Sequence, residues 1–157
     1  MARTSITDEL KQTRPFRSKS QEAAIALMRT AHLLRRKADT VVAAEGLTHQ
    51  QYNVLRILRG ARGPLPTMEI SARMVEPSPG ITRLICTLEE AGYVKREQWP
   101  GDRRQVLCQI TSSGLRLLER LDEPINQLDD TTTGTLSPEQ IDALLDALTE
   151  IRSQLRE

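Results

Sequence analysis

The stretch TMEISARMVEPSPGITRLICTLEEAG, Thr67 to Gly92, decides the fold. Ile70 and Met74 share one side of a short helix that Thr67 is placed to cap. Glu76-Pro77 stops that helix, because a residue before proline is driven out of the helical region. Ser78 and Pro79 then read as the N-cap and first position of a second helix. Its apolar face is Ile81, Leu84, Ile85 and Leu88, and Ala91-Gly92 ends it. Two short helices joined by the tight turn Val75-Glu76-Pro77 form a helix-turn-helix.

Just downstream, Tyr93 to Gln98 is a strand candidate, Trp99-Pro100-Gly101-Asp102 a turn, and Gln105 to Ile110 a second strand with alternating apolar residues. The hairpin tip carries Asp102, Arg103 and Arg104. A helix-turn-helix followed by a hairpin is a winged helix-turn-helix. In that arrangement the second helix is the one that reads a nucleic acid. Ser78, Pro79, Gly80, Thr82 and Arg83 are its exposed N-terminal positions. Small residues there let the backbone come close, Ser78 and the free amides suit a phosphate, and Thr82 and Arg83 can reach base edges.

Upstream, Thr48 and Gln51 stand three apart as a capping box, with Leu47 and Tyr52 in the staple positions. Tyr52, Leu55 and Leu58 follow on the inward face. Before them, Ala24, Ile25, Met28, Ala31, Leu34 and Ala38 recur at three and four over a long helix from Ser20, which Gly46 ends. Residues 1–19 hold few apolar side chains and five basic ones, and read as a mobile or loosely docked arm. Beyond the wing, Thr111 caps a helix with a stripe from Leu115 to Leu128, and Pro124 within it predicts a kink. Residues 129–135 read as a loop. Ser137-Pro138-Glu139-Gln140 opens a last amphipathic helix through Leu155.

The fold expected is therefore mainly α with a small β-wing, about six helices plus a two-stranded antiparallel hairpin. Within a single domain over 20–157, residues 47–110 make the winged helix-turn-helix, and 20–46 and 111–157 supply helices for dimerisation. A winged helix of under a hundred residues needs no such terminal helices, and their apolar stripes would otherwise be exposed.

Composition agrees. Of 157 residues, 38% are hydrophobic but only 3% aromatic, so the core is aliphatic, which favours helices over a β-sandwich. No window of about 18 apolar residues exists to span a bilayer, and the N-terminus lacks the apolar region of a secretion signal. A cytoplasmic protein is expected, without contact to membrane. The net charge of +1 hides an asymmetry. Residues 1–61 carry +6, 62–105 carry +1 and 106–157 carry −6. A basic half fits a polyanion partner.

The stretch Pro64 to Arg120 resembles the MarR-type transcriptional regulators, named for multiple-antibiotic resistance. The residues that carry the resemblance are Glu69-Ile70-Ser71-Ala72-Arg73-Met74, Pro79-Gly80-Ile81-Thr82-Arg83-Leu84, Leu88-Glu89-Glu90-Ala91-Gly92-Tyr93-Val94, the wing Asp102-Arg103-Arg104, and Ile110-Thr111-Ser112-Ser113-Gly114. Leu47-Thr48 and Leu136-Ser137-Pro138-Glu139 extend it to about residues 20–155. The resemblance implies a triangular homodimer on double-stranded DNA, its terminal helices forming the base and its winged helices the corners. It implies that Arg104 enters the minor groove, held by Asp102, and that Arg103 contacts phosphate or shares the groove. It also implies a pocket for a small phenolic effector, which Met28, His32 and Tyr52 would line. Cys86 and Thr87 stand where the family often has a polar and a basic residue, and no peroxide-sensing cysteine stands in the first helix.

Other chemistries find little support. Cys86 and Cys108 form no metal-ligand pattern; Cys108 alternates with Val106 and Ile110 as a core thiol would. His32 and His49 are too far apart in sequence to suggest a metal site, and His49 at the start of its helix reads as exposed. No nucleophile and base pair up, so neither an enzyme nor a cofactor is expected. The rival reading is a winged helix that binds protein. Such a module has no use for an arginine pair at the wing tip.

Overall fold

The computed structural model describes residues 4–156, with Arg103 described through its backbone alone. The chain divides at Thr40 and Val41 into two compact units. In the first, Ser5 caps a one-turn helix, α1 (Ile6–Glu9), its hydroxyl accepting the Asp8 N–H at 3.1 Å. The arm expected over residues 1–19 thus contains a helical turn, which so few apolar side chains gave no sign of; residues 1–3 lie outside the described part. Helix α2 (Lys19–Ala43) follows, and Arg29 on it donates to Glu9 at 2.7 Å. Leu27, Met28 and Leu33 on this helix are exposed.

The second unit opens with the end of α2. Gly46 has φ +73°, a left-handed value that glycine adopts without steric cost. The Leu47 N–H reaches back to the Val42 carbonyl at 3.2 Å and the Gly46 N–H to Ala43 at 3.0 Å, closing a Schellman motif. Val42 and Leu47 are both buried. Helix α3 (His49–Arg59) starts at the expected capping box, Thr48 with Gln51, and buries six consecutive or near-consecutive residues from Tyr52 to Leu58. It is the central helix of the core. Leu55, Ile70, Ile85, Leu88, Leu117, Leu118 and Leu121 belong to one buried cluster and are all essentially inaccessible. Truncating any one of these to alanine costs about 2–5 kcal/mol.

The sheet has three strands where two were expected. Leu65–Pro66, β1, pairs antiparallel with Cys108 and Leu107 of β3, and the order is β1-β3-β2. Proline is tolerated because β1 is an edge strand and needs only one side of its backbone for pairing. A two-residue strand between Gly63, Pro64 and Pro66 looks in sequence like a break. Helix α4 (Thr67–Ala72) begins one residue earlier than a Thr67 cap allows: Pro66 holds the cap position, without a side-chain bond. The Thr67 hydroxyl instead lies 3.8 Å from the Cys108 sulfur.

Helix α5 (Ile81–Glu90) ends in a second Schellman motif, with Gly92 at φ +78° and the Tyr93 N–H on the Leu88 carbonyl at 2.9 Å. Strands β2 (Val94–Trp99) and β3 (Asp102–Ile110) form the wing. Thr111 then locks the next corner. Its hydroxyl donates to Gly92 O at 2.7 Å and accepts the Gly114 N–H at 3.1 Å, while its own N–H reaches Tyr93 O at 3.0 Å. Helix α6 (Ser112–Thr131) runs on through Pro124, and the residues expected as a loop over 129–135 continue it to Thr131 and then make a 3-10 turn, Thr133–Thr135. Threonine hydroxyls that bond back to preceding carbonyls hold this end together. Helix α7 (Pro138–Gln154) opens at the expected capping box, Ser137 with Gln140. It buries no residue, and leaves Leu144, Leu145, Ile151 and the adjoining Leu155 exposed.

Candidate nucleic-acid interface

Helix α5 starts two residues later than the sequence suggested. Ser78, Pro79 and Gly80 form a turn closed by the Ile81 N–H on the Ser78 carbonyl at 3.1 Å, and Gly80 takes the cap position with no side-chain bond. Proline at 79 is compatible with either geometry, so local propensity could not separate them. Ser78 is half-buried; Pro79, Gly80, Thr82 and Arg83 are exposed. Arg73, one helix earlier, is committed to Glu69 at 2.8 Å.

The wing tip departs from a regular ladder. Trp99 pairs with Asp102 across Pro100-Gly101, but Gln98 pairs with Val106. Arg103, Arg104 and Gln105 therefore have no partner across the strand, and the chain bulges there. Asp102 organises the bulge. Its Oδ1 accepts the Arg104 N–H at 3.0 Å and Arg104 Nε at 3.5 Å, and its Oδ2 accepts from Gln105 Nε2 at 3.2 Å. The carboxylate thus holds the Arg104 backbone more closely than its guanidinium. These bonds, the backbone N–H foremost, keep the Asp102 carboxyl below the usual carboxylate range. The Arg104 side chain is 93% exposed and the Asp102 side chain 29%. The Arg103 side chain lies outside the described part.

Helix and wing are tied together by a residue that sequence reading passed over. Arg96 of β2 donates to Glu89 of α5 at 3.1 Å through Nη1 and at 3.2 Å through its backbone N–H, and Nη1 also lies 3.0 Å from the Cys86 sulfur. The signal was present: buried Val94 and half-buried Arg96 are two apart, on the strand face that meets α5. Gln105 was missed as well, and nothing in its spacing would have marked it.

Elsewhere, Met28 is 64% exposed and His32 is exposed, both on α2. Tyr52 is buried in the core of the second unit, and burial raises its phenol pKa. His49 is half-buried rather than exposed, its ring centroid 6.3 Å from that of Tyr52. Cys108 is fully buried, as its alternation implied, and burial pushes its thiol pKa up. Among the described residues no helix is long and apolar enough to cross a membrane.

Comparison with known proteins follows the same lines. The MarR family model matches residues 47–106, the span from α3 through the wing. The HTH-type transcriptional regulator TtmR of Methylorubrum extorquens strain PA1 is 32% identical over 138 residues, 88% of this chain and 69% of that protein. The crystal structure of a MarR transcription factor from Planctomyces limnophilus is 34% identical, covers 86% of this chain and 98% of its own, and superposes with a TM-score of 0.67. The chain belongs to the MarR family. A DNA complex of S. aureus MepR shares the fold, with a TM-score of 0.76 at 22% identity over 83% of this chain and 96% of that one. This MarR-family chain is a DNA-binding transcriptional regulator and not an enzyme. The match stops within β3 at Val106 and leaves α6 and α7 outside it.

Proposed function

We propose that this MarR-family regulator is a homodimeric repressor of a pseudo-palindromic operator. Helix α5 would lie in the major groove, with Ser78, Pro79 and Gly80 against the backbone, Thr82 toward base edges, and Arg83 within reach of either a base edge or a phosphate. Arg104 would enter the flanking minor groove, where a narrow groove concentrates negative potential. Arg103 would share that groove or contact phosphate. The observation that carries this reading is the wing tip: an almost fully exposed arginine, fixed at its own N–H by a carboxylate at 3.0 Å, is a cation held out in advance.

Dimerisation is supported by the apolar side chains exposed on the terminal helices, among them Leu145 at 54% and Ile151 at 44% on α7. A monomer in water would gain by covering them. Residues 20–46 and 111–157 would serve the dimer and 47–110 the DNA. Two half-sites would then lie about one helical turn apart, roughly 34–36 Å between centres. Bound across a promoter in the cytoplasm, such a dimer represses by occlusion, and a small aromatic effector that favoured a different spacing of the two corners would release it.

Fluorescence anisotropy with duplexes from the upstream region of the regulator's own gene, over 50–300 mM salt, tests DNA binding. Tight, strongly salt-dependent binding to one duplex over a scrambled one is expected; equal weak binding to both would refute an operator there. Sedimentation velocity should give a dimer that Leu145→Asp shifts toward monomer, and a wild-type monomer at micromolar concentration would end the homodimer reading. Salicylate should weaken DNA binding if a phenolic effector acts.

A further inference from the structure

Between α3 and the start of α5 lies a surface hollow of about 370 Å³. Gln50 from α3 forms one side; Ser78, Pro79, Gly80, Arg83 and Thr87 are among the residues forming the other. Among the described residues, no acidic side chain lines it. Three groups there can donate to an anion: the Gln50 amide, the Ser78 hydroxyl and the Arg83 guanidinium. Among the described residues, no hydrogen bond or ion pair engages any of these three side chains. Ser78 is uncommitted because α5 begins at Ile81, leaving it no helix to cap. Thr87 differs. Its one hydroxyl proton goes to the Arg83 carbonyl at 3.1 Å, so it walls the hollow without donating. Arg73, the neighbouring cation, is spent on Glu69.

We propose that this hollow seats one backbone phosphate of bound DNA, clamped by Gln50 from α3 against Ser78 and Arg83 from the start of α5. Helix α3 would then touch DNA directly and set how deeply α5 enters the groove. Glutamine, serine and arginine are all regular phosphate contacts, and such contacts fix register without reading sequence. The site has one positive charge and two neutral donors, which suits a singly charged phosphodiester. A carboxylate ligand would meet the same donors, but only a phosphate on a duplex would be placed there by α5 itself. The inference rests on the DNA-binding reading of α5 and the wing.

Gln50→Ala, Gln50→Lys and Gln50→Glu, with Arg104→Ala as a control, separate the two readings. Each is titrated against the operator duplex and against a random-sequence duplex of equal length, across a salt series. A phosphate contact predicts that Gln50→Ala weakens both duplexes by the same factor, roughly two- to tenfold, with the salt slope unchanged because glutamine carries no charge. Gln50→Lys should steepen the slope by about one unit per subunit and tighten binding at low salt. Gln50→Glu should weaken binding most. Melting temperatures within a degree or two of wild type show that the effect arises at the interface. If all three variants bind both duplexes within twofold of wild type while Arg104→Ala is impaired, the clamp is refuted and the DNA reading survives. Loss confined to the operator would make Gln50 a base reader and overturn the phosphate assignment. A wild type that binds neither duplex even at 20 mM salt would overturn both.

Discussion

Gly114 is the position where one methyl group should do the most damage for its size. It stands in the first turn of α6, where an alanine would ordinarily be welcome. A Cβ built there would lie 2.5 Å from the Tyr93 carbonyl oxygen and 2.7 Å from Cγ1 of Ile110. The carbonyl is backbone and cannot rotate away, and it already accepts the Thr111 N–H at 3.0 Å. Relieving the overlap means moving strand and helix apart by most of an ångström. Overpacking of this kind costs about 1–3 kcal/mol, and weakening the Thr111 bonds about 0.5–1.5 kcal/mol more. Against this stands the helix propensity gained on replacing glycine with alanine, about 1 kcal/mol. The net for Gly114→Ala is a loss of about 1–3 kcal/mol, which for a chain of this length lowers the melting temperature by roughly 3–10 °C. Gly63→Ala is the control, because nothing lies within 4 Å of a Cβ there. Its effect should stay within about 0.5 kcal/mol. Urea titrations followed by far-UV circular dichroism give both numbers at constant slope. If Gly114→Ala proved as stable as Gly63→Ala, the corner formed by Gly92, Tyr93 and Thr111 would be soft, and the account of why α6 docks there would be wrong.

Asp102→Ala should weaken DNA binding by roughly two- to tenfold although it removes a repelled negative charge, because Arg104 must then be ordered on binding; tighter binding would show that the aspartate is only a turn residue. Arg104→Ala should weaken binding further and lower the salt slope by about one unit per subunit. Arg96→Met should lower stability by about 1 kcal/mol, the loss of a charge-assisted tie discounted for partial exposure, and should also weaken DNA binding, since α5 and the wing lose their link; unchanged affinity would make the link merely structural. Burial raises the pKa of Cys108, so its contribution to stability is complete below the unfolded thiol value of about 8.5 and is lost as pH rises through the folded value. Stability should therefore hold to about pH 8.5 and fall above it, with the early part of the fall absent in Cys108→Ala and a later part, from Tyr52, retained; a decline of equal onset in both proteins would refute the assignment.

What the sequence made legible was governed by local chemistry. Thr48 with Gln51, Ser137 with Gln140, and Thr111 all cap where expected, because a capping bond is decided within four residues. Gly46 and Gly92 end their helices where expected because a left-handed residue there is nearly always glycine. The errors arose where the deciding partner is distant in sequence. Leu65 and Pro66 become a strand only because Cys108 and Leu107 offer an edge some forty residues later. Thr67 loses its cap role to Pro66, whose extended backbone is set by that same pairing. The residues 129–135 read as a loop by composition, yet their threonine hydroxyls close back on helix carbonyls and carry the helix on.

The interface divides the same way. Arg104 and Asp102 could be singled out because a hairpin tip displays its residues in order, and two residues apart is enough for a carboxylate to reach an N–H. Gln50 could not, because it becomes relevant only when α3 and α5 close a hollow between them. In sequence Ser78 reads both as a phosphate contact and as the helix cap; with Gly80 in the cap position, its hydroxyl is one of three donors around the hollow that no bond engages among the described residues. The two-residue shift in where α5 begins therefore changes more than a boundary. It leaves Ser78 without a helix to hold, and in the proposed clamp its hydroxyl and Gln50 of α3 would meet the same phosphate.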